Sequence, residues 1–209
     1  GPNYNCECVR CRALDPPGYE WNQDFSDFPR FPRLKLPPLA DRYLNYVNAV
    51  ARQVTKKHPG KLFEFYNYAS RIPPARERVH PNVSVKFTYL SGREVNVSLM
   101  DKQDRLAQKE RKWLRGWAES GTRYLTYYPY TDWTQPDASL HWYFNCKDLL
   151  LNLKQHYGCV GMMGETHTTV YADPIWWAIY SKTLWDVKTD YRAVIRDVCD
   201  AFYGPAGKT

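Results

Sequence analysis

Four short runs rich in apolar and aromatic residues recur along this chain, and helix-length segments separate most of them. KLFEFYNYA (61–69), VSVKFTYL (83–90), RYLTYYPY (123–130) and CVGMMGE (159–165) read as strands, the last of them short and buried. A helix is expected from Asp41, acting as N-cap, to about His58, where Pro59-Gly60 stops it. Tyr43, Tyr46, Val47, Val50 and Val54 would form its apolar face. Further helices are expected over 103–119, ending at Gly121, and over about 138–157, ending at Gly158. Two closing helices are expected over about 173–185 and 189–203. Ser91-Gly92 leaves open a hairpin between strand 83–90 and EVNVSL (94–99). Strands alternating with helices argue for an α/β fold with a parallel sheet. Function in such folds collects at the carboxyl ends of the strands.

The first 38 residues read differently. Pro16, Pro17, Pro29, Pro32, Pro37 and Pro38 interrupt regular structure, while Tyr19, Trp21, Phe25, Phe28 and Phe31 recur among them. A segment of that length is expected to be an irregular, functional arm over 1–38, with the α/β unit over 39–209. Cys6, Cys8 and Cys11 form a C-x-C-x2-C cluster in the arm; Cys146, Cys159 and Cys199 are spread further along. The cluster suits zinc, a disulfide or free thiols, and the spacing alone leaves all three open. No other cofactor is expected.

The chain carries 29 basic and 22 acidic residues, a formal charge of +7. The densest basic run, Lys102 to Arg115, is interleaved with Asp104 and Glu110 and reads best as a solvated helix face. No zinc-finger, RNP or helix-turn-helix pattern accompanies it, so nucleic acid is not an expected partner. No apolar stretch approaches membrane-spanning length, and the first residues lack the apolar core of a signal peptide. No nucleophile elbow, Walker loop, G-x-G-x-x-G or H-E-x-x-H occurs, which weakens the readings those motifs carry.

Aromatic residues make up 16% of the chain, with 8 Trp and 17 Tyr. Such rings tolerate burial only when the polar handle finds a partner, so this abundance suggests an aromatic-lined, partly wet surface. Sugar rings, apolar on their C–H faces and polar at their edges, match it; nucleobases and proline-rich peptides do as well. Tyr66 and Tyr68 close the first strand, and Tyr128, Tyr130, Asp132 and Trp133 follow the third. Glu165 closes the fourth, with His167 just beyond. Asp132 and Glu165 would stand on neighbouring strands, the arrangement that glycosidic cleavage requires of an acid and its base or nucleophile. Each has a plainer reading: Asp132 as a turn brace, His167 as a structural histidine, the tyrosines as core. Trp176, Trp177 and Trp185 have helical spacing and read as core.

The ordered pieces C-E-C-V-R-C, D-R-Y-L-N-Y-V-N-A-V-A, K-K-H-P-G-K, Y-N-Y-A, H-P-N-V-S-V, Y-Y-P-Y-T-D-W, H-Y-G-C-V-G-M-M-G-E, Y-S-K-T-L-W-D and F-Y-G-P-A span nearly the whole chain. Together they resemble the glycoside-hydrolase-like domain of unknown function 4838. The resemblance implies a TIM-type barrel related to α-glucuronidases, and a carbohydrate-active role in secreted or cell-envelope bacterial proteins. By strand-end match it points to Glu165 and the Tyr130/Asp132 segment; the strand-end residues themselves suggest Glu165 and Asp132 as the carboxylate pair, with Tyr66, Tyr68, Tyr128, Tyr130, Trp133 and His167 at the substrate. It also implies that this chain supplies the last four strands of eight, since a full barrel needs about 250 residues. The remainder would be a missing segment or a second chain. A non-catalytic glycan-binding or envelope structural protein on the same fold is the alternative.

Overall fold

The alternation of strand and helix patterns produces one sheet of four parallel strands lying in chain order. The computed structural model describes residues 6–15, 23–24, 35–36, 39–68, 71–89, 98–129, 141–163 and 174–208. Its elements are α1 (Val9–Arg12), β1 (Gln23–Asp24), β2 (Lys35–Leu36), α2 (Ala40–Val54), β3 (Phe63–Asn67), β4 (Val83–Tyr89), α3 (Arg105–Glu119), β5 (Leu125–Pro129), α4 (His141–Tyr157), β6 (Cys159–Met162), α5 (Pro174–Trp185) and α6 (Tyr191–Tyr203). A 3-10 helix, Gly204–Lys208, closes the chain. Among the described residues no helix is long and apolar enough to cross a membrane.

The strands pair β3-β4-β5-β6, with Phe65 opposite Val85, Phe87 opposite Tyr127 and Tyr127 opposite Met162. Side chains alternate across a strand, and the two faces differ. Phe65, Val83, Val85, Phe87, Leu125, Tyr127 and Cys159 are buried in the core. Trp117 of α3 packs on Phe65 with ring centres 5.4 Å apart, and its indole N–H donates to the Ile72 carbonyl at 2.8 Å. The opposite face carries Glu64, Tyr66, Ser84, Lys86, Thr126 and Tyr128. Most of these are half-buried or exposed.

Parallel neighbours need a crossover. α3 and α4 supply it for β4–β5 and β5–β6. The β3–β4 connection has no α-helix among its described residues, and the protein braces it with side chains. Asn48 of α2 donates to Glu77 Oε1 and to the Arg78 carbonyl, and accepts from His80 N–H. Asp41 Oδ1 accepts from Arg76 and Glu77 N–H at 2.7 and 3.2 Å. Pro74 of this connection sits against Gly116 of α3, where a Cβ would lie 2.5 Å from the proline Cγ. Gly116→Ala is therefore expected to destabilise by about 1–3 kcal/mol through overpacking, read as a lower urea midpoint at unchanged slope.

Several expectations are corrected. Asp41 is no N-cap: Leu39 precedes the helix, and the Asp41 carboxylate holds the 76–77 backbone instead. The buried stripe of α2 is Ala40, Asp41, Leu44, Asn48 and Ala51, whereas Tyr43 is exposed and Tyr46 is 69% exposed. The two polar residues are inside because the connection's backbone needs their oxygens and amide. The arm is not wholly irregular, since Cys8 leads into α1 and β1 pairs antiparallel with β2. β6 is not buried throughout: Val160 is 63% exposed on a strand that has only β5 beside it among the described residues. Trp185, expected in the core, stands 93% exposed at the last position of α5, and Trp177 is half-buried. Helical spacing tells which residues share a stripe, not how far along the helix its neighbours reach. The hairpin left open at 94–99 lies largely outside the described residues; Ser98 and Leu99 form no strand. The basic run on α3 is solvated as expected, with Arg105, Lys112 and Arg115 exposed and Trp113, Leu114 and Trp117 turned inward.

Candidate functional site

The carboxyl half of the sheet face opposite α3 is built from adjoining strands. Tyr66 of β3 stacks on Tyr68 with centroids 5.8 Å apart, and meets Tyr128 of β5 edge-on at 5.7 Å. Lys86 of β4 comes up between them, its Nζ 5.6 Å from the Tyr66 ring centre and 5.9 Å from that of Tyr128. The same Nζ pairs with Glu64 Oε1 at 2.7 Å and approaches Met163 Sδ at 3.6 Å. A lysine within about 6 Å of an aromatic face gains from the ring quadrupole, the more so when partly desolvated. The Lys86 side chain is only slightly exposed. The result is a half-buried shelf of three tyrosines around one ion pair.

Asn67 and Thr88 are coupled near the strand ends. Thr88 N–H donates to Asn67 Oδ1 at 2.8 Å, extending the ladder between β3 and β4 by a side chain. The Asn67 Nδ2 and Thr88 Oγ1 atoms are fully buried and have no hydrogen-bond partner among the described residues. By strand alternation Thr88 lies on the same face as Lys86, and Asn67 on the same face as Phe65.

The structure brings together Tyr66, Tyr68 and Tyr128, as expected from their strand-end positions. Tyr130, Asp132, Trp133, Glu165 and His167 lie outside the described residues. β5 ends at Pro129 and β6 at Met162, so Asp132 and Glu165 each follow their strand by three residues, and those strands are neighbours. Lys86, Glu64 and Thr88 were not singled out from sequence. The signal was present for Lys86, the single charge inside VSVKFTYL. Its pairing with Glu64 depends on register, which the pattern does not disclose.

Two buried carboxylates appear among the described residues, and neither faces the shelf. Asp41 serves backbone N–H groups, as above. Glu110 of α3 accepts from the Tyr127 hydroxyl on the helix-covered face. Close to it the Tyr157 hydroxyl is pushed up chiefly by burial, against the pull of Arg111 and Arg115. These groups hold α3, β5 and α4 together and are out of reach of a ligand on the other face.

A second constellation lies in the arm. The sulfurs of Cys6, Cys8 and Cys11 are all within 4.8 Å of one another, Cys6 and Cys8 exposed and Cys11 half-buried. The three can hold a metal ion. The Cys8 thiol is lowered to about 7, mainly by the Cys11 backbone N–H and then by the neighbouring thiols. The Cys11 thiol is raised to about 11, first by its hydrogen bond with Cys6 and then by that with Cys8.

The model of a family described as a domain of unknown function, DUF4838, matches residues 2–209. Neither a curated protein nor a solved structure matches the chain.

Proposed function

The chain belongs to the DUF4838 family, and from that premise we propose that it acts on a glycan held at the carboxyl end of the sheet face opposite α3. The observation that carries this reading is the grouping of Tyr66, Tyr68 and Tyr128 around Lys86 at the strand ends. A tyrosine offers an apolar plane and a hydroxyl together, which suits the two kinds of surface on a sugar ring. The net charge of +7 favours an acidic sugar, a uronate or a sulfated one.

The reaction assigned to this site is hydrolysis. Glu165 serves as acid/base or nucleophile and Asp132 as its carboxylate partner; Tyr130, Trp133 and His167 complete the sugar contacts. A separation of about 5 Å between the carboxyl groups gives retention, and about 6.5–9.5 Å gives inversion. Strands in chain order and crossover helices α3 and α4 against a single face are what half of a (β/α)8 barrel contains. We read the chain as the last four strands of such a barrel, completed by a further segment or a second chain, in a secreted or cell-envelope protein. The engagement of Glu64 by Lys86 favours a second reading, a glycan-binding or envelope structural protein without turnover on the same face.

Glycan-array screening followed by calorimetry tests the binding face. Tyr66→Ala is expected to weaken the best ligand roughly 3- to 10-fold, the worth of one aromatic contact. Tyr46→Ala, exposed on α2, should change nothing. Equal affinity in wild type and Tyr66→Ala would remove the shelf from the reading.

A further inference from the structure

The glycan reading makes no use of the thiol trio, whose surroundings are built to keep it in place. Cys8 directly precedes α1, and Cys11 is the third residue of that helix. Its single turn therefore carries both sulfurs to one side. Cys6 approaches from the chain before the turn. Both flanks of this stretch are fastened to one side chain of α2. Arg42 donates through Nε and Nη2 to the two Asp15 oxygens at 2.5 and 2.6 Å, and through Nη1 to the Cys6 carbonyl at 2.8 Å. Planar guanidinium pairing of this kind fixes orientation as well as distance. The loop from Cys6 to Asp15 is thereby closed around the three sulfurs.

The dimensions suit a thiophilic divalent ion. Zinc–sulfur bonds of about 2.3 Å in a tetrahedron put the sulfurs about 3.8 Å apart. Sulfurs already within 4.8 Å need shifts of about one ångström, which side-chain rotation on an exposed turn supplies. The charges also agree. Three thiolates around one Zn2+ leave a net charge of −1, and Arg10 and Arg12 sit on the same helical turn.

We infer that Cys6, Cys8 and Cys11 form a zinc clip that fastens the N-terminal segment to α2 through Arg42. Each thiol gives its proton to solvent as its sulfur ligates, and solvent at this exposed position takes the fourth place on the metal. Binding to the folded arrangement stabilises it by mass action. Because Arg42 sits beside Asp41, which holds the β3–β4 connection, that stabilisation reaches the sheet.

The test uses the whole chain, stripped with a chelator under reducing conditions and titrated with Zn2+ against a chromophoric competitor. One zinc per chain is expected, together with a rise in Tm. Co2+ in its place should give the charge-transfer absorption of thiolate ligation. Cys6→Ser, Cys8→Ser and Cys11→Ser should each weaken zinc by at least about 100-fold, while Cys199→Ser binds as wild type. Arg42→Ala should keep one zinc per chain but lose most of the Tm rise. Thiol alkylation of the wild-type chain, mapped by peptide mass, needs no variant to fold. Zinc should shield Cys6, Cys8 and Cys11 and leave labelling of half-buried Cys199 unchanged. Cys159, buried and with its thiol pushed up to about 12, should stay unlabelled with or without metal. Equal labelling of the trio with and without zinc, a disulfide within it in anaerobically handled protein, or wild-type affinity in Cys11→Ser would each overturn the clip.

Discussion

Trp117→Ala is expected to cost about 4–8 kcal/mol, enough at the upper end to leave the chain largely unfolded if its total stability is near the lower end of the usual 5–15 kcal/mol. The indole is fully buried between α3 and the sheet, against Phe65. Truncating a buried Trp or Phe to Ala costs about 3–5 kcal/mol by transfer and cavity formation. A second loss adds to it, because the indole N–H satisfies the Ile72 carbonyl at the start of a connection that has no α-helix among its described residues. An acceptor left buried without its donor costs about 1–3 kcal/mol. Trp117→Phe separates the two losses, keeping most of the ring volume and removing the donor. Urea melts followed by far-UV circular dichroism measure both variants. A loss below about 1.5 kcal/mol in Trp117→Ala would show that the β3–β4 connection does not depend on this contact.

Glu165→Gln is expected to lower turnover on a confirmed glycan by about 100- to 10,000-fold, the usual share of a positioned acid or base. That corresponds to about 3–5 kcal/mol of barrier. The substitution keeps the shape and removes the proton transfer and the negative charge, so glycan affinity should stay within a few-fold of wild type. Asp132→Asn should act in the same direction. The expectation rests on neighbouring parallel strands that end three residues before each carboxylate. Full turnover in Glu165→Gln would discard the carboxylate pair and leave the tyrosine shelf to stand by itself. Glycan binding with no turnover in the wild-type chain would select the non-catalytic reading.

The sequence made the order of elements legible because each boundary carries a local chemical mark. Gly158, with φ +66°, ends α4 in a conformation that L side chains rarely adopt, and β6 begins at the next residue. Asp104 and Asp190 cap the helices they precede. The inward stripe of α2 was not legible. Asp41 and Asn48 look like surface residues until the backbone of 76–80 is placed beside them, and nothing local announces a connection between them. The same holds for the site. Tyr66, Tyr68 and Tyr128 are visible from strand ends alone, while the tie of Lys86 to Glu64 requires the β3–β4 register. The thiol spacing is plain in sequence; its frame joins Asp15 to Arg42 across 27 positions and is not.

The short links between helix ends and strand starts have an electrical consequence. Ser120, at the end of α3, accepts from Val79 N–H just ahead of β4, and α4 runs into β6 through Gly158 alone. Both helices thus finish at the amino edge of the sheet and begin at its carboxyl edge. Aligned peptide dipoles give a helix about half a positive charge at its beginning. The carboxyl edge therefore sits in the positive field of two macrodipoles while the opposite edge sits in their negative field. A carboxylate or sulfate arriving there is drawn by the backbone itself before any side chain touches it, and most strongly in dilute buffer, where ions screen least.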